Sequence, residues 1–266
     1  MRKVLLLVLG AAALVAGALA ASAAASAISL QGLAPLRVGH FVAGPGPVGV
    51  GAPHAEVVGR SVQGRAIRLV RVGSAAAAQR VLVVGCIHGT ERAGLAVTRA
   101  LRGLTPPRGV QLLVLDELNP DGCAHGTRGN AHGVDLNRNF PWGWRRQGGI
   151  FASGPRPGSE PETRAAMDLI LRERPRVTVW FHQHLDLVDA QRGADPAILR
   201  RYAAVSRMRL HRLAPLPGTA SRWQNHRLAD TSAFVVELPA GRLSSAAVRR
   251  HVAAIVAVSR IVAGTP

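Results

Sequence analysis

Lysine is nearly absent from this chain. Lys3 is the only one among 266 residues, so almost all of the positive charge is arginine. Aromatic residues are few, at 4%, and Tyr202 is the single tyrosine. Basic stretches interleaved with aromatic rings, the pattern that stacks nucleic-acid bases, are therefore missing, and no nucleic-acid partner is expected. Acidic residues are scarce, 15 against 33 basic ones, and only Glu56 precedes Glu91. A carboxylate inside a motif is thus informative here. Cysteine occurs twice, at Cys86 and Cys123. The pair suits either a disulfide or two small buried thiols, and spacing does not choose between them. There is no internal repeat and no second long apolar run.

The N-terminus reads as an export signal at 1–27. Arg2 and Lys3 form a basic start, Val4 to Ala20 is apolar and uncharged, and small-x-small triplets follow at Ala18-Leu19-Ala20, Ala21-Ser22-Ala23 and Ala25-Ser26-Ala27. The alternative is an uncleaved anchor, because the uncharged run reaches Arg37. Residues 28–55, with Gly44-Pro45-Gly46-Pro47, read as a linker. That leaves 56–266 for one large domain with its own core. Loss of the signal removes two basic residues and leaves a net charge of about +16, which favours association with anionic cell-wall polymers. The same arginines also fit an ordinary solvated surface. No specific protein partner is indicated.

Within that domain, apolar runs alternate with amphipathic ones. Val81–Gly85, Val110–Leu115, Arg176–Phe181 and Ala233–Leu238 have the continuous apolar character of strands buried on both faces. Ala66–Val72 follows a hairpin turn at Gly59–Arg65. Glu91–Arg102, Ser159–Arg174, Asp195–Arg207 and Ser244–Val262 have helical composition, and Ser159-Glu160-Pro161-Glu162 has the form of a capping box. This alternation predicts an α/β sheet covered on both faces, with ligands held outside the carboxyl ends of the strands.

Three segments deliver polar groups to that rim. His88-Gly89-Thr90-Glu91 follows the strand ending at Gly85. His182 and His184 follow another strand, two residues apart, with His182 nearer the strand end and His184 suited to an outer position. Two histidines and a glutamate form a three-ligand set for catalytic zinc, with one position open for water. Glu237 lies in the apolar strand Phe234-Val235-Val236-Glu237-Leu238. An unpaired glutamate is costly there, and burial moves its pKa toward the range of a general base; a salt bridge to an arginine is the other way to satisfy it. Between Asn119 and Pro141 the chain is rich in Gly and Asn, against a helix, and carries the isolated arginines Arg128 and Arg138. One can stabilise an oxyanion. The other, with Asn137, can grip a carboxylate.

Taken together, His88-x-x-Glu91, Thr127-Arg128, Val134-Asp135-Leu136-Asn137-Arg138-Asn139-Phe140-Pro141 and Glu237 resemble the zinc metallocarboxypeptidases related to carboxypeptidase A. Asn119-Pro120-Asp121-Gly122-Cys123 and Gly158-Ser159-Glu160-Pro161-Glu162-Thr163 resemble the bacterial murein peptide amidase branch, which cuts the γ-D-glutamyl–diaminopimelate amide of cell-wall peptides. The resemblance runs from about Glu56 to Gly241. It implies a three-layer α/β/α sandwich around a mixed, mostly parallel sheet of about eight strands, with one Zn2+ held by His88, Glu91 and His182. It further implies Arg128 polarising the scissile carbonyl, Asn137 and Arg138 holding the terminal carboxylate of a peptide substrate, and Glu237 as base and then acid. Deacylation of small N-acyl amino acids is the nearest alternative, and an inactive cell-wall binding protein is the alternative of another class. Many relatives carry a tyrosine on a mobile loop over the substrate. The corresponding stretch here, Leu216–Asn225, has hydroxyls and an arginine but no phenol.

Overall fold

The computed structural model describes residues 54–264; the expected signal at 1–27 and nearly all of the expected linker lie outside them. The first strand starts at His54, two residues before the expected domain start.

Eight strands form one mixed sheet. In chain order they are β1 (His54–Arg60), β2 (Ala66–Val72), β3 (Gln79–Cys86), β4 (Val110–Glu117), β5 (Val177–Gln183), β6 (Leu187–Asp189), β7 (Arg209–His211) and β8 (Ser232–Leu238). Their spatial order is β1-β2-β4-β3-β5-β8-β6-β7. The central β4-β3-β5-β8 block is parallel, as its uninterrupted apolar sequence requires. β1, β2 and β6 join antiparallel at its flanks.

The helices are α1 (Gly94–Leu101), α2 (Pro120–His125), α3 (Pro161–Glu173), α4 (Pro196–Ser206), α5 (Ala220–Arg227) and α6 (Ser245–Ala263). Alternate residues of a strand point to opposite faces, and this divides the interior into two cores. Val83, Phe181 and Val236 pack under α1, α4 and α6. Leu82, Trp180 and Val235 pack under α3 and α5. The result is the expected α/β/α sandwich. His182 and Glu237 continue the Trp180 and Val235 side, so both emerge on the α3/α5 face.

The sheet order reverses at β3. The chain steps from β3 out to β4, then crosses back to β5 on the other side of β3. A crevice opens at the carboxyl ends of strands where such a reversal occurs, here between the ends of β3 and β5.

Local chemistry departs from the expected pattern at three places. Glu91 is not helical; it sits in a turn closed by its own N–H donating to His88 O at 2.9 Å, and α1 begins only at Gly94. The Gly- and Asn-rich stretch does contain a helix, the short α2, because the Asn119 side chain accepts from Gly122 N and Pro120 supplies its first residue. The capping box does not form. Glu160 is the N-cap residue, with no side-chain hydrogen bond to the helix start, and Glu162 instead accepts from Val62 N at 3.0 Å and from Asn130 Nδ2 at 3.0 Å. Glu162 thus ties α3 to the first hairpin.

Tyr202 lies wholly buried on α4, its hydroxyl 3.0 Å from His251 Nδ1 on α6. It is a packing residue. Cys86 and Cys123 are both free thiols, buried with Leu95. Among the described residues, no helix is long and apolar enough to cross a membrane.

At the other end of the sheet, Arg71 donates to Glu173 Oε1 at 2.7 Å and to Glu56 Oε1 at 2.7 Å. The hydrogen bond from Arg71, helped by Arg172 and opposed by desolvation, holds Glu173 at a pKa of about 2, below its ordinary 4.5. A depressed carboxylate pKa stabilises the fold above the unfolded value and ceases to do so as pH falls toward the folded one. The expected result is that Glu173→Gln costs about 2 kcal/mol at pH 7 and that this difference closes between pH 4.5 and about 2. Urea melts of both proteins across that window check it. A difference independent of pH would show that the ion pair is not its source.

Candidate metal centre

The centre is built from the ends of three parallel strands. β3 leads into a tight turn that carries His88 and Glu91. Gly89 makes that turn possible: a Cβ there would lie 2.0 Å from the carbonyl of Gly122, so α2 can sit directly against the turn only because residue 89 has no side chain. The turn is also tied to β5, since Ala93 N donates to Gln183 Oε1 at 2.9 Å and Gln183 N to Glu91 Oε2 at 3.2 Å.

These restraints bring the three expected ligands together. Glu91 Oε2 lies 3.0 Å from His88 Nδ1 and 2.9 Å from His182 Nδ1. The imidazoles meet edge-on, with centroids 4.8 Å apart. One donor atom from each of His88, Glu91 and His182 falls within 4.8 Å of the others, and all three residues are buried. His184, the competing histidine, is exposed beyond the end of β5.

Asp135 holds the turn from behind, a role that nothing local in the sequence announces. Its Oδ1 lies 2.8 Å from His88 Nε2 and accepts from Asn137 N at 2.9 Å, and its Oδ2 accepts from Arg128 Nε at 3.0 Å. Burial alone would raise the Asp135 pKa, but His88 and the two nearby arginines bring it to about 2. An ionised Asp135 fixes which ring nitrogen of His88 faces Glu91. Burial depresses the His88 pKa, and the contacts to Asp135 and Glu91 more than reverse that. Arg128 closes the ring by donating Nη1 to Glu91 Oε1 at 2.7 Å.

Glu237 stands directly opposite His182 in the parallel β5/β8 register. Its Oε2 is buried and has no hydrogen-bond partner. Desolvation raises its pKa, with Glu91 adding to the shift and the two histidines and a backbone hydrogen bond from Leu185 opposing it. His88 Nδ1 is also buried without a hydrogen bond, close as it is to Glu91. A histidine nitrogen without a hydrogen bond beside a carboxylate and a second imidazole, with Glu237 lining the same cavity, fits a divalent cation.

The zinc carboxypeptidase family profile matches residues 53–188. That span holds both histidines, Glu91 and both arginines in the order read from the sequence. The chain belongs to the zinc carboxypeptidase family. Murein peptide amidase A of Escherichia coli K12 is 36% identical over 158 residues, which are 54% of this chain and 64% of that protein. The chain therefore spans a little under two thirds of that relative's length. The crystal structure of the murein-tripeptide amidase MpaA of Escherichia coli O157 superposes with a TM-score of 0.64 and 30% identity, covering 78% of this chain and 92% of that one. Carboxypeptidase A of Helicoverpa armigera, at 20% identity and a TM-score of 0.69 over 80% of this chain and 69% of its own, shares the fold. Glu237 lies beyond the family-matched span, so its place in the centre rests on the β5/β8 register.

In a family named for its zinc, this donor set fits that ion. The two remaining site candidates sit beside it. Asn137 Nδ2 lies 3.3 Å from His182 Nε2, and its Oδ1 accepts from Ala220 N at 3.0 Å. The Asn137 amide thus braces His182 against α5. Arg138 is 4% exposed, yet it makes no ion pair among the described residues; its Nη1 donates only to its neighbour's carbonyl, Asn137 O, at 2.7 Å. The exposed ring of Phe151 lies under both guanidinium groups, 5.5 Å from Arg128 and 5.3 Å from Arg138. A cavity of about 550 Å³ opens from the centre and is lined by both arginines and Glu237.

Proposed function

We propose that this chain is an exported zinc-dependent peptidase that hydrolyses an amide in peptidoglycan-derived peptides of the γ-D-glutamyl–diaminopimelate type. The observation that carries it is the grouping of His88, Glu91 and His182 at one end of a cavity that Glu237 also lines. The similarity to murein peptide amidases supports the substrate class, and the N-terminal sequence supports export.

His88, Glu91 and His182 would hold one zinc ion. Bound there, zinc supplies Lewis-acid chemistry, acidifying a water and polarising the scissile carbonyl. Glu237 takes the proton of that water on its carboxylate and returns it to the leaving amine; its raised pKa suits both tasks. Arg128, part exposed at the mouth of the centre, donates to the developing oxyanion. Arg138 is a buried cation lacking an anion, and the terminal carboxylate of the substrate completes it. Asn137, read as the partner of Arg138 in holding that carboxylate, also braces His182.

The test is mass spectrometry of products after incubation with a diaminopimelate-containing murein tripeptide, with and without a chelator. The expected result is a single cleavage that the chelator stops. Cleavage of small N-acyl amino acids alone would favour the deacylase instead. Retention on wall fragments without cleavage would favour the binding protein. Arg138→Ala is expected to raise KM by about tenfold to a hundredfold for peptides with a free terminal carboxylate, the loss of one charge-assisted contact. Steady-state kinetics on the free acid and its amide check it. An equal loss on both would remove Arg138 from that role.

A further inference from the structure

The cavity extends past the metal centre along β6 and β8, and its far end carries charge. β6 runs antiparallel to β8, with Leu187 directly opposite Glu237 and Val188 opposite Val236. The next step of that register sets Asp189 beside Val235, on the face that Glu237 occupies. Both line the cavity. Two residues of strand separate Asp189 from the level of Glu237, about 7 Å.

Asp189 is 7% exposed, and its one hydrogen bond is at Oδ1, from Leu213 N at 3.0 Å. Among the described residues, no ion pair takes its charge. Its pKa is raised by desolvation, with Arg212 nearby opposing the shift. Arg212 also lines the cavity, exposed at the rim, and donates only to Ala190 O at 3.3 Å. At this end Ser221 donates to Gln191 Oε1, Asn225 bonds the backbone of Arg192 and Ala233, and Arg222 donates to Leu216 O, while Arg192 and Thr219 also line the cavity. Asp189 is thus the one carboxylate lining this end of the cavity, and Arg212, whose charge acts on it, forms no ion pair with it among the described residues.

We propose that Asp189 and Arg212 form a recognition site for a leaving residue whose side chain ends in both an ammonium and a carboxylate. A buried carboxylate with a free oxygen attracts an ammonium and rejects a neutral end, because without a cation it stays desolvated and unpaired. The arginine at the rim takes the companion carboxylate. A lysine-length stem spans the strand step from the scissile amide to Asp189. This assignment rests on the peptidase reading and names what distinguishes its substrate.

The experiment uses the zinc-loaded protein with three γ-D-glutamyl substrates whose leaving residue is diaminopimelate, lysine or norleucine. Calorimetric binding of the three free amino acids reads the pocket without turnover. The expected order in both assays is diaminopimelate, lysine, norleucine, with steps of about tenfold or more. Asp189→Asn keeps the acceptor for Leu213 N and is expected to lower kcat/KM for diaminopimelate at least about ten times more than for norleucine. Arg212→Gln is expected to erase the step between diaminopimelate and lysine. Cleavage of all three substrates at similar rates, or a parallel loss on all three in Asp189→Asn, would overturn the assignment while leaving the peptidase reading intact. Ordered binding without any cleavage would uphold the pocket and overturn the peptidase reading.

Discussion

Glu237→Gln is expected to lower turnover by about 10³-fold, inside the 10²–10⁴ range for loss of a positioned base, with zinc content unchanged. Glutamine has nearly the same shape, so the packing of β8 against β5 survives. What it loses is the ability to take and return a proton. Glu237 Oε2 is buried without a partner, and its carboxylate bears a desolvation penalty with no compensating ion pair. The neutral amide removes that penalty. The variant is therefore expected to unfold at the parent temperature or above it, a result that a purely structural glutamate would not give. Parallel assays of turnover, bound zinc and thermal unfolding check all three. Turnover at the parental rate would remove Glu237 from the chemistry. Lost zinc would make it a ligand instead.

The second large effect concerns the metal. Glu91→Gln is expected to weaken zinc binding by more than about 100-fold, and Asp135→Asn by about 10- to 100-fold, the usual range for a group that orients a ligand. Glu91 Oε2 lies within 3.0 Å of both imidazoles, so its charge is at the focus of the set. Asp135 touches only His88 among the ligands, and its loss frees one ring without removing a donor. Competition with a metal indicator measures both constants. A larger loss in Asp135→Asn than in Glu91→Gln would make Asp135 the ligand and Glu91 the brace.

Much of this arrangement is legible in the chain. β3, β4, β5 and β8 are covered on both faces, so each reads as an unbroken apolar run, and a histidine or glutamate at its end stands out. Glu237 is conspicuous because carboxylates are rare and its neighbours are Val236 and Leu238. The fold around those strands follows from the helical segments between them. Other features depend on tertiary contact and leave little local trace. β6 and β7 are three residues each and exist only by pairing with neighbours. α5 follows a Pro- and Gly-containing stretch that reads as loop, and α2 depends on the Asn119 cap. Glu91 reads as helical by composition, but the approach of α2 to Gly89 determines the shape of its turn. Nothing near Asp135 or Asp189 in sequence shows that one meets His88 and the other lines the cavity beyond Glu237.

The central claim is that one zinc ion sits between His88, Glu91 and His182. Anomalous diffraction at the zinc absorption edge from crystals of the metal-loaded protein tests it most directly. The account predicts a single strong peak, with imidazole nitrogens about 2.0–2.1 Å away and a Glu91 oxygen at about 2.0–2.2 Å. A protein that binds zinc only elsewhere, or shows no peak at these three residues, would contradict it.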